Sequence, residues 1–278
     1  MNVLISADME GVTGITAPEE VHPGTPAYER YRRLFTHDVN AAIAGAFEGG
    51  ATEVVVNEAH NRMRNLMIED LDERALLISG GQKPLIMMEG VDRGIDLAFL
   101  VGYHAPFGDS GVLSHMFLGK GVFEIKLNGE TCSEGRMSAL IAGTFGVPVA
   151  LVTGDDMACA DAARYIPGVR TVAVKEAIDR YVAICMAPAR TEPLICDAAA
   201  QACRDAETFR PLVAEPPYRW EITLTNPTSA ATAARVPGVE RVGVRSVAWV
   251  FDDFLESFNA FAVVSSLVGG SLDSPVFD

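Results

Sequence analysis

Asp8 and Glu10 stand one residue apart, directly after the apolar run Val3-Leu4-Ile5 and followed by Gly11 and Gly14. His60 comes soon after Val54-Val55-Val56, and His104 soon after Leu97-Ala98-Phe99-Leu100-Val101. Carboxylate oxygens and imidazole nitrogens together suit zinc, manganese or iron; the thiolates of a structural zinc site sit elsewhere in this chain. A lone histidine after a strand is ordinarily a hydrogen-bonded structural residue, and acids beside glycine are common in turns. Two of the five histidines at strand ends, beside paired carboxylates, set a metal site level with that structural reading. The sequence has no His-Glu-x-x-His helix, no Gly-x-Gly-x-x-Gly, no phosphate-binding loop ending in Lys-Ser/Thr and no Gly-x-Ser-x-Gly elbow.

Convergence of these residues depends on the elements that carry them. Apolar runs without polar breaks read as strands buried on both faces of a parallel sheet. In such sheets ligands bind beyond the carboxyl ends of the strands, which share one edge. Helical spacing from about Tyr28 to Phe47, stopped by Gly49-Gly50, predicts a helix between the first two strands, hence a right-handed βαβ unit. Further expectations are a hairpin from Val122 turning at Asn128-Gly129, and helices over Ser133 to Phe145 and Met157 to Tyr165. Strands are expected at Val149 to Val152 and Val172 to Val174. From about Pro188 an alanine-rich helix (Leu194 to Glu207) is expected, then strands at Trp220 to Leu224 and within Val242 to Phe251. The last element expected is a helix from Phe254 to Leu267 that Gly269-Gly270 stops. The expected architecture is α/β: a mainly parallel Rossmann-like sheet flanked by helices over residues 1–187, and a smaller α/β domain over 188–278 suited to oligomerisation.

Composition narrows the class. A formal charge of −15 disfavours nucleic acid or anionic membranes as partners. No apolar run reaches the roughly 18 residues of a membrane span. Asp8 and Glu10 interrupt the N-terminal apolar stretch too early for a signal peptide, and the five cysteines include no Cys-x-x-Cys pair. Reduced thiols in the cytoplasm are the expectation.

The blocks Ser6-x-Asp8-x-Glu10-Gly11, Asn57-x-x-His60, Gly102-Tyr103-His104, Ser114-His115, Ser133-Glu134-x-x-x-x-Ala139 and Pro148-Val149-x-Leu151-Val152-x-Gly154-Asp155-Asp156 occur in this order. Together they resemble the zinc-dependent D-aminopeptidases of the dipeptide-transport-operon type, across at least residues 1–180. The resemblance implies a hydrolase that removes the N-terminal residue of short peptides or amides, with preference for D-amino acids, through metal-activated water. It implies two zinc ions per chain on Asp8, Glu10, His60, His104 and Glu134, with Asp8 as bridge. His115 maps onto a catalytic histidine outside the metal shell. A ring-stacked homo-oligomer, a decamer, is implied as well. Glu58, Ser133 and Ser138 depart from the family pattern beside mapped ligands, which bears on substrate range and rate more than on metal binding.

Two other readings are open. Asp8-x-Glu10-Gly11-Val12-Thr13 also resembles the nucleophile loop of haloacid-dehalogenase-like phosphatases; there Asp8 would attack phosphorus and Asp155 and Asp156 would bind magnesium. That mechanism has no use for His60 and His104. A non-catalytic, metal-stabilised ring-forming protein is the third. Asp155 and Asp156 could also order the site, bind the substrate amino group, or cap the helix that begins at Met157.

Overall fold

Buried β-branched runs set the centre of the molecule: Val3, Leu4 and Ile5 pair with Val54, Val55 and Val56 on one side and with Leu97, Ala98 and Phe99 on the other. The structure, a computed structural model, describes residues 1–272. Its first elements are β1 (Asn2–Ala7), α1 (Pro26–Glu48), β2 (Glu53–Glu58), β3 (Leu76–Ile78) and β4 (Leu97–Tyr103). Next come β5 (Val122–Leu127), β6 (Glu130–Thr131), α2 (Glu134–Thr144), β7 (Val149–Asp155), α3 (Asp156–Tyr165), β8 (Arg170–Asp179) and β9 (Val182–Cys185). The chain continues through α4 (Pro188–Arg204), β10 (Tyr218–Leu224), α5 (Pro227–Ala233), β11 (Glu240–Arg241), β12 (Ser246–Phe251) and α6 (Phe254–Leu272).

The chain divides into two units. The first comprises Met1–Ala105, Asp109–Ser114 and Gly135–Leu212; the second comprises Pro106–Gly108, His115–Glu134 and the chain from Val213. In the first, seven strands lie in the order β3-β2-β1-β4-β7-β8-β9. All neighbours run parallel except β8 and β9. Sequence order runs outward in both directions from the β1–β4 pair. That reversal is a topological switch point, where the crossovers diverge and leave a crevice beyond the strand ends. The expected mainly parallel sheet with flanking helices is therefore present.

Helix α1 begins where Thr25 Oγ1 accepts from Tyr28 N at 3.0 Å and Pro26 occupies the first helical turn. Phe35, Val39, Ala42, Ile43 and Ala46 form its buried stripe. Ile195, Ala199, Ala202 and Cys203 of α4 join the same core, so α4 belongs to the first unit and the expected 187/188 boundary falls inside it. Helix α4 also starts earlier than expected, at Pro188, and accommodates Pro193 within it.

The second unit holds an antiparallel sheet in the order β11-β12-β10-β5-β6. Asn128 (φ 52°) and Gly129 (φ 85°) make the anticipated hairpin turn, both in the left-handed region that such a turn needs. Trp220 and Trp249 sit opposite each other on β10 and β12, their rings stacked with centroids 6.2 Å apart. Phe261 of α6 stacks 5.6 Å from Trp220. Ser257 accepts from the Trp220 indole through Oγ at 3.0 Å and from the Trp249 indole through its carbonyl at 3.1 Å. Contrary to expectation, α6 runs through Gly269-Gly270 to Leu272. Its apolar stripe reaches the predicted stop in buried Val264 and Val268, whose burial offsets the roughly 1 kcal/mol that each interior glycine costs.

Candidate metal centre

The ends of three adjacent strands meet at the switch point. Asp8 and Glu10 leave β1, His104 follows β4 directly, and His60 lies two residues beyond β2. The β1 and β4 exits are drawn tightly together. Asp8 N donates to Val101 O at 2.8 Å, and Gly11 N to Gly102 O at 2.7 Å. A Cβ on Gly11 would stand 2.0 Å from Tyr103 O, and one on Gly102 (φ +73°) 2.1 Å from Asp8 O. Only glycine at both positions permits this approach.

The approach delivers four side chains that are at most 5% exposed: Asp8, Glu10, His60 and His104. His60 Nδ1 lies 3.4 Å from Asp8 Oδ1 and 2.9 Å from Glu10 Oε2. His104 Nε2 lies 3.6 Å from Asp8 Oδ2. The Asp8 carboxylate thus turns one oxygen to each imidazole. The far nitrogen of each ring meets a backbone carbonyl: His60 Nε2 faces Val21 O at 2.8 Å and His104 Nδ1 faces Ala105 O at 2.9 Å. A carbonyl can only accept, so it takes the ring proton on its own side; the nitrogen facing the acids holds a second proton or, once that is lost, offers its lone pair. Metal-ligating histidines are oriented in the same way.

Electrostatics point the same way. Burial, then the charge of Glu10, pushes the Asp8 carboxyl up to about 7. Burial pulls His60 down, but Glu10 and Asp8 together outweigh it and hold its pKa well above the ordinary histidine value. Two buried acids side by side need a compensating cation, a proton or a metal. Asp8 Oδ2 is buried and accepts no hydrogen bond. Ligands about 2.0–2.1 Å from a tetrahedral zinc stand roughly 3.3 Å apart, and the observed separations of 2.9, 3.4 and 3.6 Å bracket that value. The donor set fits a divalent transition metal.

The remaining two predicted residues belong to the second unit. Glu134 opens α2, and its Oε1 accepts from Phe117 N at 2.6 Å. His115 is partly exposed, with Nε2 3.9 Å from Glu134 Oε1. Asp155 takes the capping role: Oδ1 accepts from Ala158 N at 2.7 Å at the start of α3, while Oδ2 accepts from Val112 N. Asp156 Oδ1 accepts from Ala177 N at 2.7 Å.

Glu58 and Ser138, singled out as departures, have clear structural partners. The Glu58 carboxylate accepts from Asn65 N, Asn65 Nδ2 and Leu66 N, closing the loop that carries His60. Asn65 Nδ2 in turn donates to His60 O at 2.8 Å. Ser138 Oγ joins a buried hydroxyl chain, 3.1 Å from Tyr103 OH, which is 2.7 Å from Ser6 Oγ. Sequence reasoning missed the groups that anchor the acidic loop. Asp38 of α1 accepts from Thr13 N at 2.9 Å and from Thr13 Oγ1 at 3.0 Å. Lys175 of β8 donates to three carbonyls of the loop. The only cue to Lys175 was a lysine at the end of the buried run Val172-Ala173-Val174.

Comparison with known proteins gives the family. The family model for D-aminopeptidases matches residues 1–263. A D-aminopeptidase of Bacillus subtilis (strain 168) is 38% identical over 270 residues, covering 96% of this chain and 97% of that protein. The solved structure of the Zn-dependent D-aminopeptidase DppA from Bacillus subtilis, a self-compartmentalizing protease, superposes with a TM-score of 0.94. It is 36% identical and covers 100% of both chains. With its fold and sequence matched nearly end to end, the chain belongs to the D-aminopeptidase family of peptidases.

Proposed function

We propose that this chain is a dinuclear zinc aminopeptidase that removes the N-terminal residue, preferentially a D-amino acid, from short peptides or aminoacyl amides. The observation that carries the reading is the Asp8 carboxylate set between two imidazoles, one oxygen toward each. One carboxylate so placed can serve two ions, and Glu10, His60, His104 and Glu134 would complete the ligand set. When bound, the two ions supply an activated water and an electrophile for the scissile carbonyl.

The protein's own contribution is orientation and proton handling. The Val21 and Ala105 carbonyls hold both imidazoles in the tautomer a ligand needs. His115, assigned to the substrate and not to a metal, would donate a proton to the leaving amine or stabilise the oxyanion. A phosphatase role for Asp8 finds no support, since Asp155 and Asp156 are occupied by backbone N–H groups of their surroundings. A purely structural role for the site is unsupported too.

The DppA structure is that of a self-compartmentalizing protease, and we carry that property to this chain as a ring-stacked homodecamer in the cytoplasm. Val244, Val250 and Val263, all exposed on the second unit, support a role for that unit in assembly. Among the described residues no helix is long and apolar enough to cross a membrane.

The test is a panel of D- and L-aminoacyl amides assayed with zinc-loaded protein beside a phosphate monoester. Turnover of D-aminoacyl amides above their L-counterparts is expected. Phosphatase activity alone, or no amide turnover across the panel, would overturn the proposal.

A further inference from the structure

Lys175 is 1% exposed, a depth at which lysine normally needs an ionic partner. Its ammonium instead donates to Glu10 O at 2.6 Å, Val12 O at 3.0 Å and Ile15 O at 2.7 Å. An ammonium group has three N–H donors, and three carbonyls of one loop take them. The other contacts of that loop each hold one position: Gly11 N donates to Gly102 O of β4 at 2.7 Å, and Thr13 Oγ1 to Thr191 Oγ1 at 2.9 Å. Val12 N to Met9 O (3.1 Å) and Ile15 N to Val12 O (3.2 Å) are local turns. Asp38 fixes Thr13 alone. Lys175 ties both ends and the middle of residues 10–15 to a strand of the central sheet.

We propose that Lys175 is a positioning residue that holds the Glu10–Ile15 loop in the conformation presenting the Glu10 and Asp8 carboxylates to the metals. This rests on the metal site argued above. A strand-to-helix loop with two glycines has many conformations, and ordering it at the moment of metal binding would weaken affinity. Lys175 supplies that ordering in advance. It acts through Glu10's own carbonyl, so it sets the Glu10 backbone directly. The titratable groups around it are Asp155, Cys185, Asp38 and the Glu10 carboxylate; Asp155 engages backbone N–H groups of α3 and the Val112 segment, Asp38 that of Thr13, and Glu10 faces His60. Hence the ammonium is spent on the loop and not on an ion pair.

The experiment compares the native protein with Lys175→Met, Lys175→Gln and Val174→Ala. Lys175→Met keeps the length and volume but has no donors; Lys175→Gln keeps an N–H donor pair on a shorter stem. Val174→Ala opens a cavity in the core that Val174 shares with Val12 and Ile15 but removes no hydrogen-bond donor from the loop. Zinc affinity is measured in metal buffers, and the cobalt(II)-substituted proteins give visible spectra that report ligand geometry. Outer partners of metal ligands typically contribute about 10–100-fold in affinity. Lys175→Met is expected to lose that much and to shift the cobalt bands, with Lys175→Gln losing less. Val174→Ala should lower the melting temperature yet leave affinity and spectrum native.

Should Lys175→Met fail to fold, Lys175→Gln against Val174→Ala carries the comparison. Native affinity and an unchanged spectrum in the folded Lys175 variants would overturn the positioning role. Equal loss in Val174→Ala would do the same, by reducing it to general stability. Failure of the native protein to take up zinc or cobalt would instead overturn the metal site itself.

Discussion

Asp8→Asn separates what Asp8 does for folding from what it does for metal. Asparagine keeps the volume and removes the charge. In the metal-free protein burial and Glu10 raise the Asp8 carboxyl from 3.8 to about 7. The folded state then binds a proton more readily than the unfolded chain. Stability from this group is thus greatest below about pH 4 and falls as pH rises through about 7. The roughly three-unit shift amounts to about 4 kcal/mol of destabilisation at pH 8. Asparagine removes it, but His60 loses one of the carboxylates that hold its proton, so a net gain of about 1–3 kcal/mol is expected. For a chain of this size that raises the melting temperature by roughly 2–6 °C. At pH 5 the native carboxyl is protonated, and the advantage should shrink by more than half.

Zinc should invert the order. Ligand at about 1,000 times its dissociation constant stabilises by about 4 kcal/mol, and Asp8→Asn lacks the anionic ligand needed to draw that benefit. The assay is calorimetry at fixed protomer concentration, with chelator and with zinc, at pH 5 and pH 8. A metal-free Asp8→Asn protein that melts below native at pH 8 would refute the electrostatic reasoning. Equal zinc stabilisation of both proteins would refute the role of Asp8 as ligand.

Other outcomes are expected. His115→Ala should keep its metals and fold but lose about 10²–10⁴-fold in kcat, while His104→Ala should bind zinc weakly and regain activity with added metal; the two are separated by kinetics across a zinc titration. Glu58→Gln replaces one acceptor oxygen facing Asn65 and Leu66 with a donor. A loss of about 1–3 kcal/mol by chemical denaturation is expected, with faster hydrogen exchange at Asn65 and Leu66. Light scattering at micromolar protomer should give the mass of a closed assembly; a monomer would contradict the ring.

The parts of the fold legible in sequence were those with physical redundancy. β1, β2, β4 and β7 each carry an unbroken apolar run because both faces are covered, and Asn128-Gly129 is a turn that few other dipeptides can make. The first strand to be missed, β3, is a short edge strand without an alternating pattern, and β9 presents exposed Val182 and Ile184. Helix α5 shows no long apolar stripe, although Asn226 capping Ser229 N and Pro227 in the first turn were available signals. The division into units was out of reach for a different reason: it cuts the chain at several places, so no composition change marks it. At the candidate metal centre the convergence of Asp8, Glu10, His60 and His104 was legible as residue types at strand ends. Their anchors were not, because Lys175 acts on backbone carbonyls and Asp38 on the backbone and hydroxyl of a threonine far from it in sequence, which leave no pattern in a sequence.

The central claim is a pair of metals sharing Asp8, and anomalous diffraction tests it most directly. Data collected on both sides of the zinc absorption edge, from crystals of zinc-loaded protein, locate each ion independently of any assumed ligand. Two anomalous peaks per chain are predicted, both within coordination distance of Asp8, with Glu10, His60, His104 and Glu134 as the remaining protein ligands. A single peak, or peaks held by other residues, would contradict the account.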